Sequence, residues 1–171
     1  SLPGAARIGT SGLRREAQLR ERDPLLCILP LRGNVDTRLR KLDEGQYDSI
    51  VLASAGLRRL GLQDRIVELL DPDVMCPAAG QGALAIETRA DRAALVEALD
   101  HEMTRAAVTA ERALLAALGG GCQVPIGAYA RVQKGEFILQ GLVATPDGSK
   151  YVKAERAGTP ESPKVLGSLL A

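Results

Sequence analysis

The residue type in this chain that most clearly points to chemistry is arginine. Thr10-Ser11-Gly12-Leu13-Arg14-Arg15 stands where a short apolar strand feeds a helix, with Thr10 and Ser11 as candidate N-caps. Backbone N–H groups, hydroxyls and the positive helix end make such a junction an anion site, and two arginines in the first turn add forked donors. Cations there oppose the helix dipole, which favours a bound anion over an ordinary capped helix with solvated arginines. Leu31-Arg32-Gly33-Asn34, followed by Arg38, Arg40 and Lys41, repeats the device at the next strand-to-helix junction. Asn34 and Arg38 are four residues apart and share a helix face, whereas Arg40 and Lys41 turn to solvent. Arg58-Arg59 follow a third strand in the same topological place. Ligands of open α/β sheets bind at the carboxyl ends of the strands, and three successive ends here supply arginine. The chemistry is capture of an acidic small molecule.

Cys122 is the other singular residue. It follows Gly119-Gly120-Gly121 and precedes Gln123-Val124-Pro125. A free cysteine is often just a small buried hydrophobe, but a glycine loop suits a thiol that reacts or carries something. Cys27 in an apolar strand and Cys76 before a proline read as structural, and His101 as a helix cap. Gly80-Gln81-Gly82 lacks the Walker lysine and the Rossmann spacing, so a phosphate loop there is weakly indicated. Three scattered cysteines and one histidine make no zinc cluster and no disulfide framework, which fits a reducing compartment.

The elements that must position these residues fall into two groups. Ala6–Gly9, Leu25–Leu29 and Ser49–Ala53 read as strands. They alternate with helices from the 10–12 loop to Arg22, from Asn34 to Gly45, and from Ala55 to Leu60. That rhythm predicts a largely parallel, doubly wound α/β layer over residues 1–76. Pro- and Gly-rich Pro72–Gly82 breaks the pattern. Ala83–Thr88 reads as a further strand and Asp91–Leu99 as a helix, so residues 77–100 form a crossover. From His101 to Leu118 the spacing predicts a strong amphipathic helix. Ile126–Val132, Phe137–Ala144 and Tyr151–Arg156 then read as an antiparallel meander, with a last helix over Ser162–Leu170. The fold class is α/β, in the manner of a periplasmic binding protein, followed by a small α+β domain over 101–171 with a three-stranded antiparallel sheet.

Length and composition agree with this reading. A chain of 171 residues allows one domain or two small ones. Residues 1–65 hold twelve cations, eleven of them arginine, against eight acids; residues 66–171 hold ten against thirteen. Three tyrosines and one phenylalanine are too few to stack bases, and the net charge is only +1, both against nucleic-acid binding. No apolar run is long enough for a membrane span and no signal peptide is evident. The opening Ser1-Leu2-Pro3-Gly4 reads as a cut point inside a longer protein.

Six segments carry a family resemblance, in order and over almost the whole chain. Arg7–Arg15 (RIGTSGLRR), Arg32–Asp43 (RGNVDTRLRKLD), Ile50–Gly61, Ala79–Leu84 (AGQGAL), Ala110–Arg112 (AER) and Gly120–Pro125 (GGCQVP) resemble porphobilinogen deaminase, also called hydroxymethylbilane synthase. The resemblance implies a cytoplasmic, usually monomeric transferase of tetrapyrrole biosynthesis. It joins four porphobilinogen molecules head to tail into hydroxymethylbilane, releasing ammonia. It further implies a dipyrromethane cofactor in thioether linkage to Cys122, with Thr10, Arg14, Arg15, Arg32, Arg38, Ala53 and Gln81 around it. Arg14, Arg32, Arg38 and Arg59 would hold substrate, and the partners would be porphobilinogen and polypyrrole carboxylates. Gly12 replaces the more usual serine, removing one hydroxyl from the anion loop. The family's acid/base aspartate has no counterpart here, and Asp36 and Asp43 lie on a helix in solvent. The expectation is therefore a partial enzyme, inert alone, with residues 1–76 and 101–171 as the family's second and third domains and 77–100 belonging to its first. A non-enzymatic organic-anion module of the periplasmic-binding-protein type is the alternative, and it needs no Cys122.

Overall fold

A computed structural model describes residues 5–120 and 124–171. Its chain divides into two compact units: residues 1–75 with 122–125 and 143–152, and residues 76–121 with 126–142 and 153–171.

The first unit is built on three parallel strands, β1 (Arg7–Thr10), β2 (Cys27–Pro30) and β3 (Ser49–Ile50), in the order β2-β1-β3. Central β1 buries Ile8, Gly9 and Thr10, and a side chain at Gly9 would run into the Tyr47 ring at 2.9 Å. Tyr47 is fixed in turn because its hydroxyl donates to the Pro30 carbonyl at 2.9 Å. Helices α1 (Leu13–Arg22), α2 (Val35–Asp43) and α3 (Ser54–Arg59) each follow a strand, as parallel connections require. The Asn34 side chain caps α2 by accepting from the Thr37 N–H at 2.9 Å, and Gly45 beyond its end takes a positive φ of 73°. At α1 the expected hydroxyl cap is absent. Gly12 is the N-cap and makes no side-chain bond, because Thr10 is already committed to β1. Cys27, read as structural in an apolar strand, is exposed on edge strand β2.

The second unit pairs a helix layer with a sheet. Strands β4 (Ile126–Gln133), β5 (Glu136–Ala144) and β6 (Tyr151–Gly158) form an antiparallel sheet in the order β4-β5-β6. Lys134 and Gly135, with φ of 53° and 84°, make the two-residue turn whose twist suits a hairpin. Helix α4 (Glu102–Ala117) starts at His101, whose Nδ1 accepts from the Thr104 N–H at 3.2 Å. Its small stripe of Ala106, Ala110 and Leu114 packs on Ala128, Ala130, Phe137 and Leu139, and on Leu166 of α5 (Pro163–Leu170). Gly167 is what lets the two helices close, since its backbone lies against the Ala110 carbonyl.

Residues 77–100 depart from expectation. No strand forms over Ala83–Thr88, and the expected helix is two 3₁₀ segments, Ala90–Leu95 and Glu97–Leu99. A strand needs a hydrogen-bonding neighbour, and among the described residues no strand pairs with this segment. Leu84 and Ile86 accordingly stand 84% and 55% exposed.

Candidate functional site

The carboxyl edge of the parallel sheet gathers the first group of residues. Thr10 ends β1 and is only 3% exposed, yet among the described residues its Oγ1 has no hydrogen-bond partner. A buried hydroxyl without a partner is rare, because its desolvation goes unrepaid. Immediately beyond it, α1 opens without a side-chain cap and carries half-buried Arg14 and Arg15 in its first turn. The Arg15 guanidinium donates to the Val51 carbonyl just past β3, at 3.3 Å. After β2, the 32–34 turn is held from α2: Arg38 Nε donates to the Gly33 carbonyl at 2.7 Å and Lys41 Nζ to the Arg32 carbonyl at 3.3 Å. Lys41 is thus a brace of this turn and not the solvent side chain expected, because its long stem reaches back past the start of α2 to a carbonyl nine residues earlier. Gly33 is at φ 123°, and a Cβ there would strike Thr37 at 2.9 Å or less.

Charge makes this edge unusual. Burial, and then the positive charge of Arg38, pushes the Arg15 guanidinium below its ordinary value. Two cations from different helices are thus held close enough to repel. Among the described residues Arg15 has a carbonyl for its partner, and no carboxylate neutralises it. Asp43, the helical acid on the same unit, is taken by Arg65 instead. Arg32 and Ala53 lie exposed at the ends of β2 and β3, and Arg59 closes α3, also exposed. The structure therefore brings Thr10, Arg14, Arg15 and Arg38 to one edge, where the charge of Arg38 is felt at Arg15.

The second unit contributes a cavity of about 340 Å³ lined by Gln81, Tyr129, Arg131 and Glu111, among others. Gln81 is exposed, and its Oε1 accepts from the Ala78 N–H at 3.4 Å. Glu111 was not singled out from sequence. It is 6% exposed, and its carboxylate accepts from the Gly80 N–H at 2.6 Å and the Ala130 N–H at 2.8 Å. Burial pushes its carboxyl above the usual range, against the pull of those two donors and of Arg112. A signal existed: an acid four residues after Ala107 and three before Leu114 sits on the apolar stripe of α4. Cys122 lies outside the described residues, and among the described ones no group of side chains forms a metal site and no helix is long and apolar enough to cross a membrane.

Fold and edge together define a parallel α/β protein with arginines set at the carboxyl ends of its strands. Comparison with known proteins is specific. Residues 1–97 match the family described as porphobilinogen deaminase, dipyromethane cofactor binding domain, and residues 105–171 match the porphobilinogen deaminase C-terminal domain. The chain is 55% identical to a porphobilinogen deaminase of Roseiflexus castenholzii over 174 residues, all of this chain and 57% of that one. It is 56% identical to the Chromobacterium violaceum protein of the same name, over 99% of this chain and 56% of that one. This chain belongs to the porphobilinogen deaminase family. It spans a little more than half the length of these relatives.

Proposed function

We propose that this chain serves the reaction its family resemblance implies: head-to-tail condensation of four porphobilinogen molecules into hydroxymethylbilane, with release of ammonia. The observation that carries the proposal is the carboxyl edge of the parallel sheet, where the buried Thr10 hydroxyl, without a partner among the described residues, ends β1 and Arg14 and Arg15 open α1, Arg15 donating to the Val51 carbonyl. Each porphobilinogen brings an acetate and a propionate, so the growing product is a polyanion. Forked donors grip carboxylates two hydrogen bonds at a time, and burial strengthens each bond by excluding competing water. The unpartnered Thr10 hydroxyl supplies one more donor at the same edge.

The same residues fit a dipyrromethane, whose side chains are also acetates and propionates. Thr10, Arg14, Arg15, Arg32, Arg38 and Ala53 would hold it, with Gln81 as a further contact and Cys122 as the covalent anchor. Bound in this way, the group supplies a fixed end onto which pyrrole units are added. Arg14, Arg32, Arg38 and Arg59 would orient incoming porphobilinogen. Asp43 is paired with Arg65 and Asp36 is exposed, so neither is offered as a general acid, and the chain is read as a partial enzyme that takes up a pyrrole at Cys122 but does not turn over alone. The first unit is proposed as a periplasmic-binding-protein-like domain, and residues 101–171 as the cofactor-attachment domain. A cytoplasmic, monomeric setting without nucleic-acid or membrane partners completes the reading.

Intact mass tests it. After incubation with porphobilinogen, the protein is expected to carry a covalent pyrrole adduct that Cys122→Ala does not. An unmodified mass together with firm binding of unrelated organic acids would replace this reading with that of a non-enzymatic anion module.

A further inference from the structure

The buried carboxylate of Glu111 has no part in the anion edge, yet its surroundings are built around it. It projects from the middle of α4 and, among the described residues, spends both oxygens on main-chain N–H groups with no lysine or arginine as direct hydrogen-bond partner. One belongs to Gly80, in a turn that carries Gln81; the other belongs to Ala130, in the middle of β4. Within the 78–82 turn the Gln81 N–H donates to the Ala78 carbonyl, the Ala83 N–H to the Gly80 carbonyl and the Ala78 N–H to the Gln81 side chain. Gly80 and Gly82 take φ of 72° and 92°, so the backbone there is free to reshape if released. Beyond it, from Ala83 onward, no regular element holds the chain until Ala90.

We propose that Glu111 is a positioning residue: by clamping the Gly80 and Ala130 amides with its two oxygens, it fixes the 78–82 turn to α4 and β4 and so sets where Gln81 stands. That Gln81 then touches a pyrrole ligand rests on the function proposed above; the clamp does not. A carboxylate suits this task better than an amide because it only accepts. A glutamine in its place has one accepting oxygen and one donating nitrogen, and the nitrogen would face an N–H group. The Glu111→Gln variant preserves volume and shape, so it separates the clamp from mere filling of space.

Amide hydrogen exchange and intact mass form the experiment, on the whole chain. Glu111→Gln is expected to speed exchange on the order of ten- to a hundredfold at one of Gly80 and Ala130, the factor that a hydrogen bond to a charged acceptor carries. The other amide keeps its acceptor, and Leu114 and Leu139 amides stay slow, which certifies the fold. Gly80→Ala, which strains the positive φ without touching Glu111, is expected to loosen the turn while Ala130 stays protected. Unchanged exchange at both amides in Glu111→Gln would overturn the clamp, as would uniform acceleration through α4 in a folded protein. In the second arm, porphobilinogen-derived adduct is weighed on Glu111→Gln, Gln81→Ala and the double variant. Both singles are expected to load several-fold less than the parent, and the double no less than the worse single. Additive losses would overturn action through Gln81. If the parent itself takes up no adduct, the function proposed above fails, and the exchange arm alone decides the clamp.

Discussion

Thr10→Val tests the link between the buried hydroxyl and anion capture. Threonine and valine have nearly the same shape, both are branched at Cβ, and valine suits a strand at least as well. The substitution therefore changes one thing, a hydroxyl that is 97% buried in effect, since the residue is 3% exposed, and that has no partner. An unsatisfied buried polar group costs about 1–3 kcal/mol. Its removal is expected to stabilise the fold by about 1–2 kcal/mol. For a chain of 171 residues that corresponds to a rise in Tm of about 3–6 °C. The ligand-binding effect runs the other way. A hydrogen bond from the hydroxyl to a carboxylate is worth about 1.5–3 kcal/mol, so porphobilinogen binding should weaken by about tenfold or more. Urea unfolding gives the first quantity and calorimetric titration the second. A variant less stable than the parent by more than about 1 kcal/mol at unchanged urea slope would refute the unpartnered hydroxyl. A stabilised variant that binds equally well would remove Thr10 from the site.

Gly167→Ala places a methyl group against the Ala110 carbonyl, 2.6 Å from the Ala113 Cβ and 2.8 Å from the Leu114 nitrogen. Overpacking of about 1–3 kcal/mol should exceed the ~1 kcal/mol gained in helix propensity, giving a lower urea midpoint. The Asp48 carboxyl is held at about 2, below its ordinary 3.8, because it accepts from the Arg7 side chain and N–H. The stability this gives is present above pH 3.8 and lost as pH falls toward 2, so Asp48→Asn should flatten acid unfolding over that window in a pH series of melts. Arg38→Gln removes a charge that repels Arg15 but also the hold on the Gly33 carbonyl, so the two stability effects should largely offset while porphobilinogen binding, read by calorimetric titration, weakens about ten- to a hundredfold; unchanged binding would remove Arg38 from the site.

Much of this was legible in the residues. The α/β rhythm stood out because each helix is announced locally, as where Asn34 caps α2 and Gly45 ends it. The arginines were legible as a group because strand-to-helix junctions fall at one sheet edge whatever the side-chain detail. What misled was pattern without partner. Alternating Ala83–Thr88 has a strand's composition, but pairing is decided by which neighbours are present, and composition does not contain that. Thr10 and Ser11 both have capping chemistry, yet the extent of β1 left the cap to Gly12. Glu111 was missed because its partners, Gly80 and Ala130, are main-chain groups 31 and 19 residues away.

The partner of Arg15 has a consequence for how the edge responds to acid. Other arginines of this chain are matched with carboxylates, as Arg7 is with Asp48 and Arg65 with Asp43. Such pairs come apart when the carboxylate takes a proton. A peptide carbonyl does not titrate in that range, so the hold of Val51 on Arg15 is the same at pH 4 as at pH 8. The grip keeps both its aim and its charge as the medium acidifies. For the pyrrole ligand proposed above, acid-induced release from this edge would then be governed by the guest and not by the host, its midpoint reporting the protonation of the ligand's own acetate and propionate groups.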